Sequence, residues 1–227
     1  MRVLSSAYLE NSKEYRGGAI LNRQELMGNY DAIFSLGDLC LSSIQLKKHN
    51  LRTYSGVFDW AATPQLSKVN LLLQNRFKDL MKYENLRIVG PAEKHMICVS
   101  DDYYHFVSNH DFEVGKNSLT YLGSYFEVME KYDRRINRFL YQMETAKRIL
   151  FVRTEGSFED VLELQTVLRN LVKNDFSILV INHEDVAEIV EKNWPLKHVY
   201  AVSFPNEEKW EGNNQLWEQL LQGITLK

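Results

Sequence analysis

Cys40 has the sequence setting that points most directly to chemistry. The apolar run of residues 30–36 is typical of a short buried strand, Gly37-Asp38 ends it, and a helix is predicted from near Cys40 to Asn50. The first turn of a helix presents unpaired N–H groups and the positive end of the helix dipole, and both stabilise a thiolate. Because the thiolate is the nucleophilic form, this strand–glycine–helix setting predicts a reactive thiol.

A buried structural role is the competing interpretation of Cys40, because free cysteines are among the most buried residues in proteins. Cys98 lies inside an apolar strand, where the structural role is strongly favoured. Two cysteines cannot form a disulfide framework, and such sparse use indicates a reducing compartment.

A nucleophilic thiol needs a base, and histidine is the usual one. His110 and Asp111 follow a predicted strand in a polar loop, and His105 lies earlier on the same element. His183 follows the apolar strand 176–181, at the carboxyl edge where parallel α/β sheets bind ligands. Position alone does not show which of these histidines is the base for Cys40. The remaining histidines are His49, His95 and His198.

Several arginines indicate a second kind of chemistry, the binding of an anion. Arg134 and Arg138 share a face of the predicted long helix, and two guanidinium groups can grip a phosphate or a carboxylate. Arg153 ends an apolar strand beside Glu155, at the ligand-binding edge. Asp59 lies between two large aromatic residues, where it would either orient a histidine or pair with an arginine.

Motifs for other chemistries are absent from the sequence. It contains neither G-x-G-x-x-G nor G-x-x-x-x-G-K-[ST], so a dinucleotide site and a P-loop are not predicted. It contains neither C-x-x-C nor H-E-x-x-H, so we expect no zinc site. We therefore expect neither a metal nor another cofactor.

Strand and helix patterns alternate along the second half of the chain. Ser157 is the expected cap of a helix, with Asp160 at the third helical position. The predicted strands are 148–153, 176–181 and 198–204, and the predicted helices are 121–147, the segment after Ser157, 185–193 and an amphipathic stretch at 212–223. Apolar strands that alternate with amphipathic helices favour a parallel sheet covered on both faces.

The first half contains one similar strand–helix unit and then differs. Thr63 and Pro64 form a helix-start signal, and helical spacing of apolar residues continues to about Lys82. Residues 95–112 are predicted to form a hairpin with a polar turn at 100–102.

These patterns predict an α/β fold with a single domain. We expect a mostly parallel sheet with helices on both faces and an irregular or antiparallel insertion near residues 85–118. We expect residues 1–28 to form an N-terminal arm and residues 29–227 to form the domain. The 227 residues include 44% apolar and 25% charged residues, which are ordinary globular values.

Charge and hydropathy limit the expected partners and location. A net charge of −3 and a pI near 6.1 do not favour nucleic acid. No apolar run approaches the roughly 20 residues that span a bilayer, and the N-terminus lacks the apolar core of a signal peptide. We expect a cytoplasmic protein that acts on a small-molecule or peptide-like substrate, without nucleic acid or membrane partners. Its oligomeric state is left open.

A set of short motifs resembles a bacterial family described as papain-like cysteine peptidases, whose function is largely unestablished. The motifs are Ser35-Leu36-Gly37-Asp38-Leu39-Cys40, Leu51-Arg52, Phe58-Asp59-Trp60, His110-Asp111-Phe112, Arg134-Arg135-Ile136 and Phe151-Val152-Arg153. They extend from about residue 30 to at least residue 155.

This resemblance implies that Cys40 is the nucleophile and His110 is its imidazole partner. It leaves the third member of the site open among Asp59, Asp111 and Asn182. The predicted parallel sheet differs from the helix-plus-barrel arrangement of papain. Since the same thiol–imidazole chemistry recurs on unrelated folds, a dedicated amide, ester or thioester substrate, or acyl transfer, is at least as plausible as proteolysis of ordinary polypeptides.

Two hypotheses follow from the sequence. In the first, the protein is a thiol-dependent hydrolase or acyltransferase that uses Cys40 and His110, with Asp59 as a third residue. In the second, it is an anion- or nucleotide-sugar-binding or group-transfer protein without thiol catalysis. Here the loop at Gly37 and Asp38 provides a helix N-terminus for the anion, and Arg134, Arg138 and Arg153 provide positive charge.

Overall fold

The computed structural model of the protein describes residues 21–93 and 95–227. The predicted N-terminal arm, residues 1–28, therefore falls largely outside the described residues. The elements, in chain order, are α1 (Arg23–Leu26), β1 (Gly28–Tyr30), β2 (Ala32–Ser35), α2 (Leu41–Lys48), β3 (Ala61–Ala62), α3 (Leu66–Gln74), a 3-10 turn (Tyr83–Asn85), β4 (Leu86–Ala92), β5 (Met96–Asp101), β6 (Phe106–Glu113), β7 (Asn117–Ser118), β8 (Tyr121–Leu122), α4 (Tyr125–Thr145), β9 (Arg148–Thr154), α5 (Phe158–Leu171), β10 (Asp175–Glu184), β11 (Val190–Glu191), β12 (Val199–Pro205), α6 (Asn214–Leu221) and β13 (Ile224–Leu226).

A five-stranded sheet in the order β11-β12-β10-β9-β2 forms the centre of the fold. The strands β12, β10, β9 and β2 are parallel, and only the short edge strand β11 is antiparallel. The four parallel strands correspond to the four apolar runs of the sequence. The expected mostly parallel α/β sheet is thereby confirmed.

Helices cover both faces of this sheet. On one face, α3, α4 and α5 pack against the side chains of Phe151, Ile178 and Val180. On the other face, α2 and α6 pack against Leu179 and Ile181. Burial of such side chains contributes roughly 1.5–3 kcal/mol each, so the two apolar faces hold the layers together.

The insertion near residues 85–118 is antiparallel. The strands β4, β5 and β6 form consecutive hairpins, and β3 joins them in the order β3-β6-β5-β4. The hairpin predicted over residues 95–112 is confirmed. Its turn spans residues 102–105 instead of 100–102, because β5 continues through Asp101.

The start of α3 corrects a prediction. The helix begins at Leu66 with Gln65 as its cap, instead of at the Thr63-Pro64 signal. The Thr63 hydroxyl accepts a hydrogen bond from the Arg153 guanidinium at 3.0 Å. Because Thr63 is tied to the end of another strand, it does not cap the helix.

The end of α3 corrects the prediction that the helix continues to Lys82. The helix ends at Gln74, and left-handed residues follow, among them Phe77 and Met81 with φ of 62° and 57°. The side chains of Phe77, Leu80 and Met81 are nevertheless buried in the core. Helical spacing of apolar residues therefore continued past the end of the helix.

The helix predicted over residues 185–193 is wrong. This segment contains β11, which pairs with the outer side of β12, with Val190 opposite Ser203 and Glu191 opposite Val202. The pairing satisfies backbone groups that an uncovered strand edge would leave open. An edge of this kind can override a local helical pattern, since the gain comes from a partner strand that the local sequence does not reveal.

The remaining helix predictions agree with the structure. The α4 helix occupies most of the predicted 121–147 segment, and Ser157 caps α5 by accepting a hydrogen bond from the Asp160 N–H at 3.1 Å. The C-terminal helix α6 is followed by β13, an unpredicted strand that pairs in parallel with β1. Within the part of the chain that the structure describes, no helix is long and apolar enough to cross a membrane.

Candidate active site

The carboxyl ends of three neighbouring parallel strands bring titratable side chains to one edge of the sheet. Asp38 follows β2, Glu155 follows β9, and His183 lies near the end of β10. The Asp38 N–H donates a hydrogen bond to the Thr154 carbonyl at 3.3 Å, which fixes the first loop to the second strand. Lys209 reaches this edge from the segment after β12. We call Asp38, Glu155, His183 and Lys209 the carboxyl-edge cluster.

Glu155 links two members of this cluster. Its Oε1 lies 2.7 Å from Nδ1 of His183 and 3.1 Å from Nζ of Lys209. Burial opposes ionisation of Glu155, but the hydrogen bonds from His183 and Lys209 outweigh it and lower the pKa of the carboxyl. Glu155 also has φ of 60°, a left-handed conformation that non-glycine residues adopt mainly at turns and functional sites.

The His183 imidazole is enclosed although one of its nitrogens is free. Its side chain is 1% exposed, and Phe204 lies edge-on to it with ring centroids 6.3 Å apart. Nδ1 contacts Glu155, whereas Nε2 has no hydrogen-bond partner among the described residues. A buried imidazole nitrogen without a partner destabilises the folded state, so its presence calls for an explanation.

Arg153 is the structural centre of this edge. The residue is completely buried, and burial lowers the pKa of its guanidinium to about 10. Its N–H groups donate to the carbonyls of Leu36, Thr63 and Glu155 and to the Thr63 hydroxyl, at 2.8–3.0 Å. Arg153 therefore joins the ends of β2 and β9 to the segment before α3.

Asp38 completes the charged part of the cluster. Burial raises the pKa of its carboxyl, and the charges of Arg153 and Lys209 oppose that shift only in part. One carboxylate oxygen lies 4.0 Å from the Arg153 guanidinium. Asp38 and Glu155 thus carry carboxyl groups with opposite pKa shifts at the same sheet edge.

Gly37 allows the β2 loop to approach Arg153. Its φ is 87°, and an added Cβ would collide with the Thr63 hydroxyl and lie 2.9 Å from an Arg153 nitrogen. Left-handed geometry and the close approach both require glycine at this position.

We expect Gly37→Ala to lower the free energy of unfolding by about 3 kcal/mol, from backbone strain plus overpacking. Gly115→Ala is a matched control, because Gly115 has φ of 106° but open space around the added Cβ. The control should lose only about 1 kcal/mol from strain. Urea unfolding of both variants measures the difference, and equal losses would contradict the close-packing explanation.

Cys40 lies immediately before α2, two residues beyond Asp38. The cysteine is partly buried, and burial raises the pKa of its thiol. A hydrogen bond from the backbone of Cys40 itself opposes this shift only in part. The Ser43 hydroxyl donates to the carbonyls of Cys40 and Asp59, at 3.0 and 2.8 Å. The thiol is therefore the favoured form, and chemistry at Cys40 requires a base.

His110 lies within β6, instead of in the predicted loop, and its side chain is exposed. Its ring packs edge-on against Trp60, with centroids 5.8 Å apart. Trp60 is adjacent to Asp59, whose carbonyl contacts Ser43 of α2. His110 and Cys40 are thus connected through the segment around Trp60, and no hydrogen bond joins them within residues 21–93 and 95–227.

The three residues considered for a third role all have other partners. Asp111 accepts hydrogen bonds from Ser108, Lys131 and Tyr132 at 2.6–2.7 Å, and these lower the pKa of its carboxyl although burial opposes the shift. Asp59 pairs with Arg52, and the Asn182 amide exchanges two hydrogen bonds with the backbone of Gly156 at 2.9 Å. In the described part of the chain, none of the three forms a hydrogen bond to the His110 side chain.

The arginines predicted to bind an anion are separated by their roles in the fold. Arg138 lies over the Tyr54 ring at 4.2 Å, and Arg134 is exposed on α4. The donors of Arg153 are directed to protein carbonyls and a hydroxyl, as described above. The structure thus gives each of these arginines a different environment.

Sequence reasoning placed Glu155 and His183 at the ligand edge but did not pair them. The signal was available, because each follows an apolar run and parallel neighbouring strands end at the same edge. Lys209 had no such signal, since its approach to Glu155 depends on the path of the chain after β12.

The fold and the site define an α/β protein with a cysteine at a helix start and a Glu–His pair at the same sheet edge. The chain belongs to the family described as "Putative papain-like cysteine peptidase (DUF1796)", which matches residues 31–186. This confirms the resemblance that the motifs indicated.

A curated relative is the uncharacterized protein R408 of Acanthamoeba polyphaga mimivirus. It is 26% identical over 222 residues, which cover 86% of this chain and 99% of that protein. No solved structure matches the chain significantly.

Proposed function

We propose that the protein is a thiol-dependent hydrolase or acyltransferase, with Cys40 as its nucleophile and an acylated small molecule or peptide-like compound as its substrate. The observation that carries this proposal is the position of Cys40. It starts a helix directly after a buried parallel strand and a glycine turn, two residues beyond Asp38 of the carboxyl-edge cluster. The family description supports thiol chemistry as well.

The proposed reaction has two steps. A base takes the proton from the Cys40 thiol while Sγ attacks the substrate carbonyl, an S–C bond forms, and the alcohol, thiol or amine leaves with a proton. Water or another acceptor then attacks the thioester and releases Cys40. Because burial raises the pKa of the thiol, the base contributes directly to the first step.

The family resemblance implies His110 as that base, and the role of His110 stays a prediction. The competing hypothesis, an anion site without thiol catalysis, gains no specific contact. The Gly37 N–H donates to the Ser35 hydroxyl at 3.2 Å, and the Asp38 N–H donates to Thr154. These loop donors and those of Arg153 are already used within the protein.

Acetylation by p-nitrophenyl acetate at pH 7 tests the proposal. Peptide mass spectrometry measures the rates at Cys40 and Cys98 in the same molecule. Both thiols are partly buried, and burial raises both pKa values, so Cys98 is a matched reference. We expect Cys40 to react roughly 10²-fold faster or more, because general-base assistance is worth about that much.

Two controls separate site chemistry from simple access. In about 8 M urea, which unfolds a domain of this size, the two rates should become similar. Cys40→Ala should abolish release of p-nitrophenol beyond the background rate, whereas Cys98→Ala should leave it unchanged. Equal acetylation of the two cysteines in the folded protein would refute the proposal.

A further inference from the structure

We infer that His183, held by Glu155, is the base that takes the proton from Cys40. This inference rests on the proposed function, because it takes Cys40 as the nucleophile. It assigns His183 a catalytic role and makes Glu155 a positioning residue.

The order of the three residues along the chain supports the assignment. Cys40 follows β2, Glu155 follows β9 and His183 lies at the end of β10, and these are consecutive strands of the parallel sheet. The order nucleophile, acid, histidine is that of α/β-hydrolases, in which the nucleophile also lies at a strand-to-helix turn. Cys40, Glu155 and His183 follow that order along one edge of the sheet.

The sheet face on which His183 lies is also the face of α2. Leu179, Ile181 and His183 are two residues apart along β10 and therefore lie on the same face of the sheet. Leu179 and Ile181 pack in the apolar cluster that includes Leu41 and Leu46 of α2. The register pairs His183 with Phe204, another member of that cluster. His183 and the helix that begins after Cys40 thus share one side of the sheet.

The hydrogen bonding of His183 suits a base. The contact of Nδ1 with the Glu155 carboxylate at 2.7 Å assigns the proton to Nδ1, which leaves Nε2 as an acceptor. Nε2 is buried and has no partner in the described part of the chain. An unpaired buried acceptor costs stability. We assign it the Cys40 proton, although the thiol is not hydrogen-bonded to it in this structure.

The charged groups around His183 come from three segments. Glu155 Oε1 is hydrogen-bonded to the ring, and Lys209 donates a hydrogen bond to the same oxygen. The Asp38 carboxylate is close enough for its charge to interact with His183. The ring that packs against His183 from β12 is Phe204, which does not titrate. Among the described residues, Glu155 is the charged group that is hydrogen-bonded to the imidazole. No carboxylate within residues 21–93 and 95–227 forms a hydrogen bond or an ion pair with the exposed His110.

The test repeats the p-nitrophenyl acetate experiment on full-length variants. His183→Gln should slow acetylation of Cys40 by roughly 10²- to 10⁴-fold, and it should leave the Cys98 rate unchanged in the same molecules. His110→Gln tests the base that the family resemblance implies. His49→Gln is the matched control and should leave both rates unchanged, because His49 lies at the far end of α2. Thermal melting of each variant checks that it folds.

Glu155→Gln supplies a second readout, which also serves if His183→Gln does not fold. It retains the size of the side chain and the imidazole but removes the negative charge. Because the carboxylate stabilises the protonated imidazole, its loss should move the acid limb of the pH–rate profile for Cys40 to lower pH. A merely structural role would lower the rate without moving this limb.

The outcomes separate this inference from the proposed function. If Cys40 reacts selectively but only His110→Gln slows it, His183 is not the base, although the thiol chemistry stands. Selective reaction that neither His183→Gln nor His110→Gln changes, or an unmoved acid limb in Glu155→Gln, also overturns the inference. If Cys40 and Cys98 react equally in the parent protein, the proposed function itself fails.

Discussion

Arg153→Met is expected to lower the free energy of unfolding by roughly 5 kcal/mol, because several buried carbonyls lose their partner at once. Arg153 donates to the carbonyls of Leu36, Thr63 and Glu155. Each unsatisfied buried acceptor costs about 1–3 kcal/mol. Since domains are stable by only about 5–15 kcal/mol, we expect a largely unfolded or aggregating variant.

The size of this effect depends on the geometry of the guanidinium. Arg153→Lys keeps the positive charge, but a single ammonium group cannot reach carbonyls on three separate segments. We therefore expect Arg153→Lys to be strongly destabilised as well. Arg134→Met is a control on the same residue type, because Arg134 is exposed on α4, and it should change stability by less than about 0.5 kcal/mol.

Thermal melting and urea unfolding measure these differences. If a variant with about 5 kcal/mol less stability still folds, its Tm should fall by roughly 10–20 °C, given about 2–4 °C per kcal/mol for a chain of this length. A shift in Arg153→Met no larger than that in Arg134→Met would show that the ends of β2 and β9 hold together without the guanidinium.

The same arginine shows how far the sequence predicts this fold. Its strand was predictable, because a run of apolar residues must be buried on both faces of a parallel sheet. Its position at the ligand edge followed from the end of that run. The hydrogen-bond partners of Arg153 could not be predicted, because Thr63 carries a strong local signal for a helix cap. In the structure, the Thr63 hydroxyl accepts a hydrogen bond from the buried Arg153 guanidinium, and the helix begins at Leu66.

The candidate site was predictable to a similar depth. Cys40 and Asp38 were placed correctly relative to a helix and a strand, because local patterns set those positions. His183 was expected to follow its strand but lies within the end of β10. The contact between Glu155 and His183 depends on which strands are neighbours, and periodicity does not encode strand order. His110 was expected in a loop of the antiparallel insertion and lies within β6. How this sheet packs against the parallel one also depends on long-range contacts that periodicity does not encode.

Asp59→Ala is the second variant with a large expected effect, a loss of about 3–5 kcal/mol. Asp59 Oδ2 lies 2.6 Å from an Arg52 nitrogen and 2.8 Å from the Gly56 N–H. The two charged side chains are only 2% and 8% exposed. Removal of the carboxylate leaves the Arg52 charge buried without compensation, and this is what makes a broken buried pair so destabilising.

An exposed pair in the same protein provides the control for Asp59→Ala. Asp102 accepts two hydrogen bonds from Arg87, at 2.7 and 2.9 Å, yet these side chains are 47% and 59% exposed. Asp102→Ala should therefore cost less than about 1 kcal/mol despite the good geometry. Urea unfolding compares the two variants, and equal losses would show that burial does not set the strength of the Asp59 pair.

Acetylation of Cys40 in Asp59→Ala decides between the two roles that the sequence allowed for this acid. If Asp59 only pairs with Arg52, the folded fraction should acetylate Cys40 at nearly the parent rate, apart from loosening of the loop that Ser43 contacts. If Asp59 orients a histidine, the rate should fall even where the protein remains folded.

Double replacement, Arg52→Met with Asp59→Leu, removes both buried charges and should recover stability. A variant that recovers stability without recovering acetylation would assign Asp59 to the reaction, whereas joint recovery would assign it to the fold.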